Sequence, residues 1–283
     1  MFTVVDLFAG GGGASVGLRH AGLRHVLSVD FWERAVETLI ASGFPGYHHD
    51  LSKPIPGWLP PVWAVWASPP CQPHSRNGKR LGKEDPRDGY GALFDQIDRI
   101  KPRWLMTENT SHLDGTDYWA EVLEKIRARF EFVEAFVLNA RDYGVPQDRA
   151  RLICIAGPRP FEPPKIAWGR LAPSAFLGDG FLRAEQSGAT ARSTSEVCQT
   201  ITAARNLYFW KTNPGRRLPR DTCKHPDARI LSPYETAWLQ GFPLDHPFRG
   251  TLGEMQTQVG NACPPPLAYA VARAAMEADG FSW

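Results

Sequence analysis

"TVVDLFAGGGGAS", residues 3–15, decides the fold of this chain. Its first six residues are β-branched or apolar apart from Asp6 and predict a strand over 3–8. Four glycines follow, then a helical pattern near 14–21. A strand, a glycine turn and a helix in that order form the first ligand-binding edge of a doubly wound sheet. Glycine lets a ligand approach the backbone, and the helix N-terminus adds a favourable dipole. The dinucleotide fingerprint is incomplete, because Gly10-x-Gly12 is followed by Ser15, and the lysine of a phosphate-binding loop is missing. A nucleotide-like ligand is implied; a pyrophosphate is not.

Working outward, short β-rich runs alternate with amphipathic stretches. Strands are predicted over 25–30, 62–67, 103–107, 132–138 and 151–156, and helices near 33–42, 93–100 and 121–130. The alternation predicts an α/β fold with a doubly wound, mostly parallel sheet of Rossmann-like type. Composition changes near Gly157-Pro158-Arg159-Pro160. From there the chain is rich in Gly, Pro, Arg and Ser, with bases such as Lys165, Arg183, Arg205 and Arg217 outnumbering acids. Phe176, Phe181, Leu207, Tyr208, Phe209 and Trp210 offer it a small core, which argues against a flexible linker. Helical patterning returns over 232–240 and 266–278. Three segments result: a catalytic and cofactor-binding part over 1–160, a small second domain over 161–228, and a return over 229–283.

The 283 residues hold no apolar run of membrane-spanning length, and the N-terminus enters a strand without a basic leader. A cytoplasmic protein without a membrane partner is expected. Five dispersed cysteines lack a Cys-x-x-Cys pair, so neither a zinc site nor a disulfide framework is indicated. The net charge of +2 does not announce a nucleic-acid partner; the clustering of bases after residue 160 does so better.

Candidate functional groups sit where strands end. Asp30, some twenty residues beyond the glycines, is placed for ribose hydroxyls. Phe31 beside it could pack on an adenine, and Asp50 could meet an exocyclic amine. An acid ending a strand also serves as a helix cap. Together the three point to a nucleoside-type cofactor, with NAD and S-adenosylmethionine both open. The next strand ends in "SPPCQPHS", residues 68–75, and Cys71 there is either a buried thiol or a nucleophile. "ENT", residues 108–110, follows the fifth strand, and "QDRAR", residues 147–151, sets Arg149 and Arg151 on one strand face. A thiol, a carboxylic acid and two arginines beside a nucleoside cofactor suit attack on an electron-poor heterocycle. An arginine raises the thiolate fraction, and a glutamate can hydrogen-bond a ring nitrogen. The alternative use of Glu108 is a structural salt bridge to an arginine.

These ordered motifs, with "RILSPYE" (229–235), "QGFP" (240–243) and "VGNACPPPLA" (259–268), resemble the cytosine-C5 DNA methyltransferases over almost the whole chain. The resemblance implies S-adenosylmethionine as cofactor, with Phe8 and Phe31 on the adenine, Asp30 on the ribose and Asp50 near the amine. It places Gly10, Gly11, Gly12, Gly13 and Asn261 on the methionine part, and Leu51, Pro70 and Leu93 along the same pocket. It implies that Cys71 adds to cytosine C6, Glu108 engages N3 and the exocyclic amine, Arg151 meets the base and Arg149 supports the site. Gln72, Ser75, Arg76 and Arg87 correspond to a mobile DNA-closing loop. Residues 161–228, with Arg205 and the Thr200-Ile201 pair, correspond to a target-recognition domain on double-stranded DNA. The base must leave the duplex for this chemistry. A bacterial or phage monomer, with or without a cognate restriction endonuclease, is the source the resemblance suggests. The rival readings are a tRNA cytosine methyltransferase, whose Cys-Phe-Thr tripeptide is absent here, and a catalytically silent DNA-binding relative. One departure is Thr110, where the family has Val.

Overall fold

The computed structural model describes residues 1–57, 59–70, 89–165, 171–184, 191–203, 206–211 and 228–282. Strands β1 (Thr3–Leu7), β2 (Arg24–Asp30), β3 (Gly46–His48), β4 (Ala64–Ala67), β5 (Trp104–Thr110), β6 (Phe132–Asn139) and β7 (Ala150–Gly157) form one sheet. Its order is β3-β2-β1-β4-β5-β7-β6. The first five strands of that order pair in parallel, and β7 runs antiparallel to both β5 and β6.

Burial on both faces explains why these strands read as apolar runs. Side chains alternate between two cores. Val4, Trp66, Met106 and Ile155 enter one, and Val5, Val65, Leu105 and Cys154 enter the other. Helices α1 (Gly13–His20) and α8 (Pro265–Ala278) cover the first face. Helices α3 (Gly89–Ile100) and α4 (Asp117–Arg127) cover the second, while α2 (Glu33–Ala41) packs beside β2 and β3. The contact between α1 and α8 is close enough to require glycine. A Cβ on Gly13 would stand 2.3 Å from the Cys263 carbonyl oxygen, and one on Gly17 would stand 2.1 Å from that of Pro265. Asp279, just past α8, accepts from Trp63 Nε1–H at 2.8 Å and from the Arg103 guanidinium at 2.7 Å, which ties the chain's end to the sheet.

A second, four-stranded antiparallel sheet is built from β8 (Phe181–Ala184), β9 (Arg192–Ser193), β10 (Leu207–Trp210) and β11 (Ala228–Ile230), in the order β11-β10-β8-β9. Leu207, Tyr208, Phe209 and Trp210 are buried as expected, whereas Phe176, on the short helix α5 (Ser174–Leu177), is 40% exposed and stacks on Trp238. This sheet shares its core with α6 (Pro233–Leu239) and α7 (Leu252–Asn261), through Leu182, Leu207, Phe209, Leu239, Phe242 and Val259. Both helices open with capping boxes, Ser232 with Glu235 and Thr251 with Glu254.

Several elements differ from the sequence expectation, the strands of the small sheet among them. The strand β5 runs on through Thr110, so Glu108 and Asn109 lie inside it and not after it. Antiparallel β7 extends the pairing, with Glu108 opposite Ile153 and Thr110 opposite Arg151. The short β3 and the helix α7 were not anticipated. Among the described residues no helix is long and apolar enough to cross a membrane.

Candidate active site

The glycine turn is bent by positive φ angles at Phe8 (57°), Gly10 (54°) and Gly12 (85°). Such angles are cheap for glycine and costly for Phe8, whose strain the surrounding turn must hold. Asp30 braces the turn: its Oδ2 accepts from the Gly10 N–H and its Oδ1 from the Trp32 N–H, both at 2.8 Å. Burial pushes the Asp30 carboxyl above its ordinary value, and those backbone donors oppose the shift. Beneath the turn, Asp6 is fully buried and accepts from the Ser15 hydroxyl. Burial drives its carboxyl up to about 7, the Ser15 bond opposes this, and Asp30 adds to the rise.

The turn faces an open cradle. A Cβ built on Gly10 meets no atom within 4 Å, and the Phe31 ring beside it is 72% exposed. Asp50 is exposed, and its Oδ1 accepts from the Ser52 N–H and hydroxyl, which hold its carboxyl below the usual range. Leu51 is buried behind it, pinned through its carbonyl by Gln96 Nε2–H at 3.0 Å. Leu93 is fully buried in the core, Pro70 is half-buried, and Asn261 is exposed at the end of α7.

At the next strand ends, Arg151 Nε lies 2.8 Å from Glu108 Oε1, with the two side chains only 12% and 7% exposed. The salt bridge considered for Glu108 therefore exists, and it is made with the arginine expected beside it. Asn109 turns inward and donates from Nδ2 to the Pro69 carbonyl at 2.9 Å. Pro70 and Gly89, which flank residues 71–88, meet through a 3.1 Å bond from the Gly89 N–H to the Pro70 carbonyl. Cys71, Gln72, Ser75, Arg76, Arg87 and Arg205 lie outside the described residues. Thr110 is exposed, so its hydroxyl need not disturb the core.

Arg149 is placed differently from Arg151. It is 1% exposed and donates to the carbonyls of Ile201 (2.7 Å), Gly260 (2.8 Å) and Ala262 (2.9 Å). Burial and Arg151 both work against its charge and Glu108 favours it; a guanidinium this basic stays protonated. Gln147 continues the lattice, accepting from the Ile201 N–H at 2.9 Å and donating to Gln240. Gln240 in turn donates to the Ala262 carbonyl at 2.7 Å. The 200–203 stretch is thereby strapped between the arginine motif and the end of α7.

A family model described as C-5 cytosine-specific DNA methylase matches residues 2–171 and 177–277. The chain belongs to that family. This methylase is 28% identical to the type II methyltransferase M.NaeI of Lentzea aerocolonigenes, over 98% of this chain and 76% of the relative. It is 30% identical to M.Eco47II of Escherichia coli, over 96% of this chain and 78% of the relative. Among solved structures it shares its fold with the Entamoeba histolytica methyltransferase EhMeth, at a TM-score of 0.75 and 14% identity, covering all of this chain and 99% of the other. The methylase is thus an enzyme that transfers a methyl group to C5 of cytosine in DNA, with S-adenosylmethionine as the donor. Its residues fit that cofactor: the cradle over Gly10 is open, the Phe31 face is free and the Asp30 carboxylate stands at the turn.

Sequence reasoning missed Gln96, His246 and Gln258, all buried and all hydrogen-bonded to backbone carbonyls. His246 Nε2 lies 2.8 Å from the Gly11 carbonyl oxygen. No spacing rule marks such residues, since each acts on a backbone carbonyl, in the case of Gln96 and His246 one far away in sequence.

Asn109→Ala should therefore lower the maximal rate while leaving S-adenosylmethionine binding within about twofold. The loss of one buried hydrogen bond on the Pro69 turn corresponds to roughly 5- to 30-fold. Steady-state kinetics beside equilibrium dialysis of the cofactor measures both, and equal weakening of the two would show that Asn109 acts on the whole crevice.

Proposed function

We propose that Cys71, Glu108 and Arg151 carry out the methyl transfer on a cytosine turned out of double-stranded DNA. The observation that carries this assignment is the buried Glu108–Arg151 pair beside the Asn109-held turn that leads to Cys71. Cys71 Sγ adds to C6 of the base, and the electrons gained by the ring make C5 a nucleophile. Glu108, oriented by Arg151, holds N3 and the exocyclic amine as that charge develops. Bound S-adenosylmethionine would supply an electrophilic methyl group to C5, its S–CH3 bond breaking to leave S-adenosylhomocysteine. Loss of the C5 proton then restores the C5–C6 double bond and expels the Cys71 thiolate. Arg149 supports the site from beneath through its three carbonyls.

On this reading Phe8, Phe31, Asp30 and Asp50 take the adenosine, while the Gly10–Gly13 turn and Asn261 take the methionine part. Leu51 and Pro70 complete the pocket wall, backed by Leu93 in the core. Residues 1–160 and 229–283 form the catalytic body, and residues 161–228 read the DNA. Gln72, Ser75, Arg76, Arg87 and Arg205 meet the duplex, where contacts to phosphate position the protein and contacts to base edges specify the sequence. The enzyme works as a cytoplasmic monomer in a bacterial or phage-infected cell, protecting DNA beside a cognate endonuclease; the type II names of its relatives support this role.

Bisulfite sequencing of DNA from cells expressing the protein tests the substrate and reads the target together. Protected cytosines in one recurring sequence are expected. Label from S-adenosylmethionine found on tRNA and not on DNA would overturn the reading.

A further inference from the structure

The glycine turn is held from behind by residues that no motif in the sequence singles out. His246 is 4% exposed and reaches across the fold to place Nε2 at 2.8 Å from the Gly11 carbonyl oxygen. A carbonyl only accepts, so Nε2 carries the proton and donates. The ring sits between Phe242 and Phe248, with centroids at 4.7 and 4.5 Å. This apolar cage favours the neutral imidazole. Burial lowers its pKa to about 4, the Gly11 bond opposes the shift, Arg19 adds to it and Asp245 opposes it.

Two further contacts complete the arrangement. The Gly12 N–H donates to the Ala9 carbonyl at 3.0 Å, so the peptide joining Gly11 to Gly12 is fixed at both its oxygen and its nitrogen. Gln258 closes against Gly11 so tightly that a Cβ there would stand 2.9 Å from its Oε1. Its Nε2 donates to the Arg249 carbonyl at 2.8 Å, and its Oε1 is buried with no hydrogen-bond partner among the described residues. Gly10, next in the turn, is left with open space where the ligand is expected.

We propose that His246, seconded by Gln258, is a positioning residue that sets cofactor affinity by fixing the Gly11–Gly12 peptide before S-adenosylmethionine arrives. The proposal rests on the assignment of the glycine turn to the cofactor. Its physical content is preorganisation: a turn already in its bound shape spends less of the binding free energy on ordering. His246 touches neither cofactor nor cytosine, so its loss should raise KM for the cofactor and spare kcat at saturation.

Wild type, His246→Phe, His246→Gln and His246→Asn are compared by equilibrium dialysis with labelled S-adenosylmethionine, and by kinetics on duplex DNA. Phenylalanine fills the cage without a donor, glutamine can bring an amide N–H to the place of Nε2, and asparagine is too short to do so. His246→Phe and His246→Asn should bind the cofactor roughly 5- to 30-fold more weakly, with kcat within about twofold. His246→Gln should recover most of the affinity. Amide exchange at Gly12 without cofactor should quicken in the Phe and Asn variants and stay slow in the Gln variant. Should Phe fail to fold, the Gln and Asn pair decides alone. Equal affinity in all variants, or equal loss in Gln and Asn, would overturn the proposal while the cofactor assignment stands. Absence of binding by wild type would remove that assignment and the proposal with it.

Discussion

Cys71→Ser is expected to cut methyl transfer to duplex DNA by at least about 10⁴-fold while S-adenosylmethionine still binds. A thiol supplies a few per cent of thiolate near neutral pH, whereas a serine hydroxyl supplies almost no alkoxide. The substitution changes one atom, so the loss reports nucleophilicity and not shape. The bonds that hold the turn before Cys71 survive the substitution. Pro69 is held by Asn109 and Pro70 by Gly89, bonds that do not depend on the thiol. Transfer of label to DNA containing the target sequence gives the rate, and 5-fluorocytosine at the target should trap wild type covalently but not the variant. A Cys71→Ser enzyme within tenfold of wild type would remove the thiol from the mechanism.

Arg149→Leu should produce the largest loss of stability among single changes near the crevice. Leucine fills part of the volume but leaves the carbonyls of Ile201 and Gly260 without their arginine donor, while that of Ala262 keeps only Gln240. An unsatisfied buried acceptor costs about 1–3 kcal/mol, so several kcal/mol are at stake. Removal of a buried charge works the other way. Here that relief is the smaller effect, because the guanidinium already has three well-placed acceptors and Glu108 favours its charge. At about 2–4 °C per kcal/mol for chains of this size, Tm should fall by roughly 10 °C or more. Arg149→Lys, with a single ammonium for three carbonyls, should fall in between. A leucine variant that melts within about 2 °C of wild type would show that water or a shift of the 200–203 stretch satisfies those carbonyls.

The catalytic body was legible because its physics is local. Buried strands such as β1 and β4 read as apolar runs, and the glycines mark where α1 starts. The doubly wound, mostly parallel sheet followed from that alternation. The end of β5 was not legible, because Glu-Asn-Thr has little strand character; pairing with antiparallel β7 extends it. The helix α7 was missed although its Thr251-x-x-Glu254 cap is a readable signal. The strands of the small sheet run to only two to four residues, too few for a period to emerge. Gln96, His246 and Gln258 were invisible for another reason. Each is a single polar residue whose partner is a backbone atom, and backbone atoms leave no mark in sequence.

The seating of α8 against Gly13 and Gly17 bears on how the protein is made. The helix after the glycine turn gains its packing partner only when residues 265–278 have left the ribosome, and Trp63 and Arg103 wait for Asp279 in the same way. Segments made earlier commonly fold first during synthesis; here α1 is secured only after the much later α8 has been made. Nascent chains stopped before Pro265 should be cut readily by protease near α1, and chains that extend past Asp279 should resist there.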